Sequence, residues 1–302
     1  MSERTSIEWT DATWNPIAGC TMVSPGCTNC YAMNIAHRFS WGDGLTRDDG
    51  KWNGKLQLRP HRLEEPLRWR RPRKVFVCSG SDLFHEDVPF EFIAAVFGVM
   101  AAAPEHTFQV LTKRPSRALE FFEWVEQQER TEGNRPHDVI LPATAEHLEG
   151  EFWSSVLQRT GLEQGLPECE PWPLHNVWLG VSVEDQKRAD ERIPLLLKCP
   201  AALRWLSCEP LLGEVDILRG CAIESIDWVV VGGESGARAR PMNPAWAHWL
   251  REQCEMFGVP FLFKQWGTFN EAGQRVGKKR AGRLLDGVLH DAYPQAGDAQ
   301  TG

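Results

Sequence analysis

A chain of 302 residues with 42% hydrophobic and 25% charged side chains has the make-up of a globular protein, able to bury a core in one large domain or two small ones. Its net charge of −8 excludes a surface that attracts nucleic acid as a whole. The longest apolar stretch, Phe90 to Pro104, is too short to cross a bilayer and carries Glu91, which excludes a membrane-spanning segment there.

The N-terminal MSERTSIEW is polar and has no signal-peptide core, which points to a cytoplasmic protein whose thiols stay reduced. TWNPIAGC, ending at Cys20, reads as a first strand. GCTMVSPGCTNCY (Gly19–Tyr31) then packs Cys20, Cys27 and Cys30 into eleven residues, together with Pro25 and Gly26. RPHRLEEPLRWRRPRK (Arg59–Lys74) follows, with seven Lys/Arg against two Glu. It reads either as a solvated face or as a phosphate-contacting patch with Trp69 placed to stack on a base.

Further along, short Val/Phe/Leu/Trp runs each end in small and polar residues: KVFVCSGSDLF (Lys74–Phe84), TFQVLTKRP (Thr107–Pro115) and NVWLGVSVED (Asn176–Asp185). ALRWLSCEPLLG (Ala202–Gly213), DWVVVGGESG (Asp227–Gly236) and VPFLFKQWG (Val259–Gly267) complete the series. Such runs are the mark of strands buried on both faces of a parallel sheet. Between them lie helical patterns: FEFIAAVFGVMAAA, RALEFFEWVEQQE, and PAWAHWLREQCEMFG with Gly258 and Pro260 as stop signals.

About seven βα units predict an α/β fold, either an open doubly wound sheet or a complete or partial βα (TIM-like) barrel. No GxGxxG follows the first strand, which favours the barrel. Residues 1–267 are expected to form a single barrel domain, with the cysteine loop at 19–31 and an insertion at 126–174 that holds a helix of its own (EHLEGEFWSSVLQR). Residues 268–302 read as a C-terminal extension ending in the disordered-looking DAYPQAGDAQTG.

Chemistry in parallel βα folds gathers at the C-terminal strand ends. Those ends carry Ser79, Ser81 and Asp82; Lys113 and Arg114; Ser182 and Glu184; Ser207 and Glu209; Gly232, Gly233 and Glu234; and Lys264. Turns favour Gly, Asn, Asp and Pro, so the Lys and Glu residues point to a shared site. Gly232–Gly236 with Arg238 and Arg240 reads as an anion cradle, a cofactor or phosphate contact, or a structural turn. Cys78 and Cys208 read as small core residues.

Three thiolates on one loop suit a 4Fe–4S cluster with one iron left open. The alternative is zinc, with His37 as the fourth ligand.

IEWTDATWNPIAGC…VSPGCTNCYA, from Ile7 to Ala32, resembles the signature of a phage-associated family of three-cysteine-motif proteins, divergent relatives of the radical S-adenosylmethionine superfamily. DLFH (Asp82–His85), LTKRP (Leu111–Pro115), GVSVE (Gly180–Glu184), CEPLL (Cys208–Leu212), VGGESG (Val231–Gly236) and FKQWG (Phe263–Gly267) resemble it too. The resemblance implies a 4Fe–4S cluster on Cys20, Cys27 and Cys30. It also implies reductive cleavage of S-adenosylmethionine to a 5′-deoxyadenosyl radical acting on an unknown substrate.

The cysteine spacing here is six then two residues, where the superfamily has three then two, and Tyr31 follows the third cysteine rather than preceding it. The superfamily's Gly-Gly-Glu motif follows the second strand; here that place holds Ser79, Ser81 and Asp82, and Gly232–Glu234 ends the sixth strand.

These residues, with Ser182, Glu184, Ser207 and Glu209, are assigned to the cofactor. Lys113 and Lys264 are assigned to acid/base work, and Arg114, Arg238 and Arg240 to a substrate, with a nucleic acid or nucleotide as the leading class. An electron donor is the implied partner. The alternative function is a non-catalytic binding module stabilised by zinc or a cluster.

Overall fold

The computed structural model describes residues 5–38, 44–133, 135–148, 153–154, 158 and 172–294. Its strands are β1 (Ala12–Trp14), β2 (Ile17–Ala18), β3 (Gln57–Leu58), β4 (Lys74–Val77), β5 (Thr107–Thr112), β6 (Val177–Ser182), β7 (Leu203–Cys208), β8 (Trp228–Gly232) and β9 (Phe261–Gln265). The helices that matter here are α1 (Tyr31–Arg38), α2 (Phe90–Ala101), α3 (Pro115–Glu132), α4 (Pro136–Ala145), α5 (Gln186–Leu196) and α6 (Pro244–Phe257).

Seven parallel strands form one sheet in the order β1-β4-β5-β6-β7-β8-β9, while β2 and β3 pair separately. The order follows the chain and never turns back, so the sheet is singly wound, as in a partial βα barrel. The seven expected strands are all present. Two compact units divide the chain: Met1–Thr21, Gly42–Trp178 and Cys199–Ala202; and Met22–Trp41, Leu179–Lys198 and Leu203–Gly302.

In the first unit, the predicted strand TWNPIAGC is interrupted at Pro16, which has no N–H to donate to a ladder. Ala12–Trp14 pairs with β4, and Ile17–Ala18 turns to pair antiparallel with Gln57–Leu58. Helix α2 is buried from Phe92 to Ala101, which explains its apolar character on every face. Phe97 packs on Phe121 and Phe122 of α3, and Thr144 of α4 donates to Ala95 O at 3.0 Å. The predicted insertion thus begins as the end of α3 and continues as α4, upstream of the helix expected at EHLEGEFWSSVLQR. Most of that stretch lies outside the described residues.

The basic stretch spends part of its charge on itself. Arg62 makes a two-pronged pair with Glu65, and Arg68 pairs with Glu64. Arg73 lies 5.1 Å over the Trp69 ring, which also meets His106 at 5.6 Å.

In the second unit, Trp205 and Trp228 pack at 5.3 Å across β7 and β8. Asp185 caps α5 by accepting from Arg188 N, and Gly258 ends α6 at the predicted place with φ +68°. The C-terminal extension lines the far side of β9: Phe263 N donates to His290 O, Asp291 bridges Leu262, and Tyr293 stacks on Trp228. These contacts cover an edge that would otherwise be open to pairing. They order Asp291–Tyr293, the start of the stretch expected to be disordered, while residues 295–302 lie outside the described part. Among the described residues, no helix is long and apolar enough to cross a membrane.

Candidate metal centre

None of the seven cysteines whose side chains are described is in a disulfide. Cys78, Cys199, Cys208 and Cys254 are buried, whereas Cys20, Cys27 and Cys30 are partly exposed. Burial pushes the Cys78 and Cys254 thiols up to about 12 and raises Cys208 further, so all three are neutral core groups. Among the cysteines whose side chains are described, the loop cysteines are the ones open to solvent. Cys20 belongs to the first unit, and Cys27 and Cys30 belong to the second.

Around Cys20, the backbone is fixed at Gly19. Its φ of +89° and its approach to the Lys55 carbonyl leave no room for a β-carbon. Arg114, 7% exposed, reaches the sulfur from the end of β5, with Nη1 to Cys20 Sγ at 3.8 Å. Its remaining N–H groups go to Glu86 Oε2 (2.9 Å), Asp82 Oδ2 (3.4 Å), Thr21 O (3.3 Å) and Thr21 Oγ1.

Asp82 organises this corner. It accepts from Thr112 Oγ1 at 2.7 Å, Lys113 N at 3.0 Å and Phe84 N at 3.1 Å. Ser79 donates to Asn15 Oδ1 and Ser81 donates to Ile17 O, tying strand ends together. The predicted cofactor trio Ser79, Ser81 and Asp82 is therefore engaged in internal bonds. Lys113 is partly buried. His85 is fully buried, with Nε2 2.8 Å from Thr21 Oγ1 and Nδ1 accepting from Asp87 N.

In the second unit, a single 3₁₀ turn, Pro25–Cys27, presents Cys27, and α1 starts directly after Cys30. Cys27 N donates to Ser24 O, and Cys30 N donates to Cys27 O. Two buried carboxylates grip this turn.

Glu184, just past β6 and fully buried, accepts from Ser24 Oγ at 2.5 Å with one oxygen and from Arg192 Nη1 at 3.0 Å with the other. The Glu184 side chain lies against Gly26, where a β-carbon would overlap it. Glu234, just past β8, accepts from Asn29 Nδ2 at 2.9 Å and from Arg240 N, Nε and Nη2. Arg240 also donates to Pro25 O at 2.9 Å, and Asn29 to Arg238 O. Burial raises the Glu234 pKa, but the bonds from Arg240 and Asn29 outweigh it and hold the carboxyl below its usual range.

The remaining strand-end groups are also engaged. Glu209 accepts from Lys264 Nζ at 2.9 Å and Gln265 Nε2 at 3.0 Å. Ser182 and Ser207 are buried, and their carbonyls accept from Arg192 Nη1 and Val183 N. Gly232 packs against Glu209. The anion cradle loses two donors, since Gly233 N goes to Gln265 O and Gly236 N to Thr268 Oγ1. Arg238 is exposed.

Among the described residues, no set of three ligand atoms lying within 4.8 Å of one another includes Cys20, Cys27, Cys30 or His37. His248, Glu271 and Asp286 form such a set, but Asp286 already holds Arg251 Nη1 at 2.6 Å.

Ser24, Asn29 and Arg192 carry the grip on the cysteine turn, and sequence reasoning assigned none of them. Ser24 and Asn29 lie inside the quoted cysteine loop, where a polar residue beside a ligand is a signal. Arg192 sits among exposed charges of α5 and gives no such sign. The three partly exposed thiols lie within eleven residues of sequence and are donors of the type that an iron–sulfur cluster takes.

A family model described as "Protein of unknown function (DUF5131)" matches residues 4–294. Neither the curated proteins nor the solved structures contain a match to the chain.

Proposed function

Because the chain belongs to the DUF5131 family of unknown function, we propose its activity from the cysteine loop and from the resemblance of that loop to the three-cysteine-motif proteins: a radical S-adenosylmethionine-type iron–sulfur enzyme with Cys20, Cys27 and Cys30 as the cluster ligands. One observation carries this reading. Of the seven cysteines whose side chains are described, the three partly exposed ones share one loop, while the other four are buried.

Cys20, Cys27 and Cys30 would hold a 4Fe–4S cluster, which would supply the electron for reductive cleavage of S-adenosylmethionine. The chain's own residues position the ligands. Glu184 with Arg192, and Glu234 with Arg240, fix the turn that carries Cys27. Arg114 directs an N–H at Cys20. In this role the strand-end carboxylates serve the loop rather than the cofactor directly.

A nucleotide or nucleic acid is the substrate class we favour, on the exposed Arg70 and Arg71 of the basic stretch. A one-electron donor is the partner.

The test is anaerobic reconstitution with iron and sulfide, followed by S-adenosylmethionine and dithionite. Release of 5′-deoxyadenosine and methionine is expected, and a colourless, iron-free chain would refute the reading. Iron bound without cleavage would favour a cluster-stabilised binding module. That second reading has its own support, since Asp82, Glu184, Glu209 and Glu234 all have internal partners.

A further inference from the structure

Arg114 follows β5 directly, and sequence reasoning assigned it to a substrate. A guanidinium has five N–H groups, and here five acceptors meet them. Nε donates to Glu86 Oε2, Nη1 to Cys20 Sγ and Asp82 Oδ2, and Nη2 to Thr21 O and Thr21 Oγ1. No N–H remains for a substrate. The side chain is 7% exposed, so its charge is poorly screened by water. Asp82 is held in turn by Thr112 Oγ1 and Lys113 N, so the guanidinium cannot drift from the sulfur without breaking a buried set of bonds.

Hydrogen bonds to sulfur and net charge nearby are two of the levers that set the potential of an iron–sulfur centre. A donated N–H and a buried positive charge both favour the extra electron. Glu86 acts against this. It is 62% exposed and draws the same guanidinium from the solvent side.

We propose that Arg114 is a positioning residue that raises the reduction potential of a cluster held through Cys20, with Glu86 moderating it. This inference rests on the cluster reading above, and it concerns electron entry rather than chemistry on the substrate. Arg114 acts through the cysteine and touches no reacting atom. Lysine cannot replace it, because three donors on a flexible stem cannot serve five fixed acceptors.

The experiment is an EPR-monitored redox titration of the reconstituted full chain, with iron and sulfide counted in each sample. R114K is expected to keep its iron but to be about tenfold less reduced at a fixed potential, a shift of about 59 mV to lower values for a one-electron couple. E86Q, an exposed change that leaves the fold intact, is expected to shift the opposite way, by less. The opposite signs separate tuning from simple damage.

Full iron in both variants with wild-type potentials would overturn the inference and leave the cluster reading standing. A wild-type chain with no EPR-active cluster would overturn both. Should R114K fail to fold, E86Q still decides: an unshifted or lowered potential contradicts the inference.

Discussion

Replacing Gly26 by Ala asks whether Glu184 locks the cysteine turn. An alanine β-carbon there would lie 2.6 Å from Glu184 Cγ and 2.8 Å from Cδ, with Oε1 closer still. Carbon atoms in contact normally sit about 3.5–4.0 Å apart, so something must move. Gly26 has no left-handed φ, so the backbone itself accepts alanine and the clash is the cost.

Glu184 is poorly placed to yield. It is fully buried, and its two oxygens hold Ser24 Oγ and Arg192 Nη1. If the carboxylate shifts with its partners, overpacking costs about 1–3 kcal/mol. If the Arg192 pair breaks, the loss rises to about 3–5 kcal/mol. Gly26→Ala should therefore lose about 3 kcal/mol, read as a lower urea midpoint with unchanged slope. The loss should shrink in the Ser24→Ala background, because both changes act on one carboxylate. A variant within about 0.5 kcal/mol of wild type would refute the reasoning.

Three further outcomes follow from the same geometry. Glu234 has a lowered pKa, so its contribution to stability is present above the ordinary carboxyl value of 4.5 and is lost as pH falls below it. Glu234→Gln should flatten the acid limb of the urea midpoint, and an unchanged limb would contradict the clamp. His85 is lowered below 6.5, chiefly by burial and then by the Arg114 charge, so its protonation opposes folding. Stability should fall as pH drops through 6.5, and His85→Asn should remove that part of the slope in the same titration. In the native apo chain, maleimide followed by peptide mass spectrometry should label Cys20, Cys27 and Cys30 well before Cys78, Cys199, Cys208 and Cys254. Labelling of the buried four at comparable rates would contradict the burial pattern.

The strands were legible because parallel strands buried on both faces must be near-continuous apolar runs, and those runs end in polar groups. The barrel choice rested on a missing dinucleotide motif, and the unreversed strand order now supports it directly. The break at Pro16 was equally legible as chemistry, but β2 finds its partner at Gln57–Leu58, some forty residues on, which no local pattern reveals.

At the site, the sequence picked out Glu184, Glu234 and Arg114 but not the internal partners that each of them holds. Each looks like a free functional group on paper, because its partner is distant in sequence or hidden among ordinary charges. Ser24 is 160 residues from Glu184, and Asn29 is 205 from Glu234. Such pairs depend on folding in three dimensions, and spacing alone carries no record of them.

The most direct test counts iron and acid-labile sulfide in the chain purified without oxygen. About four of each should be present in the wild type. They should fall away in C20A, C27A and C30A separately and remain in C78A. Full iron after loss of any one loop cysteine, or a single zinc in place of iron, would contradict the account.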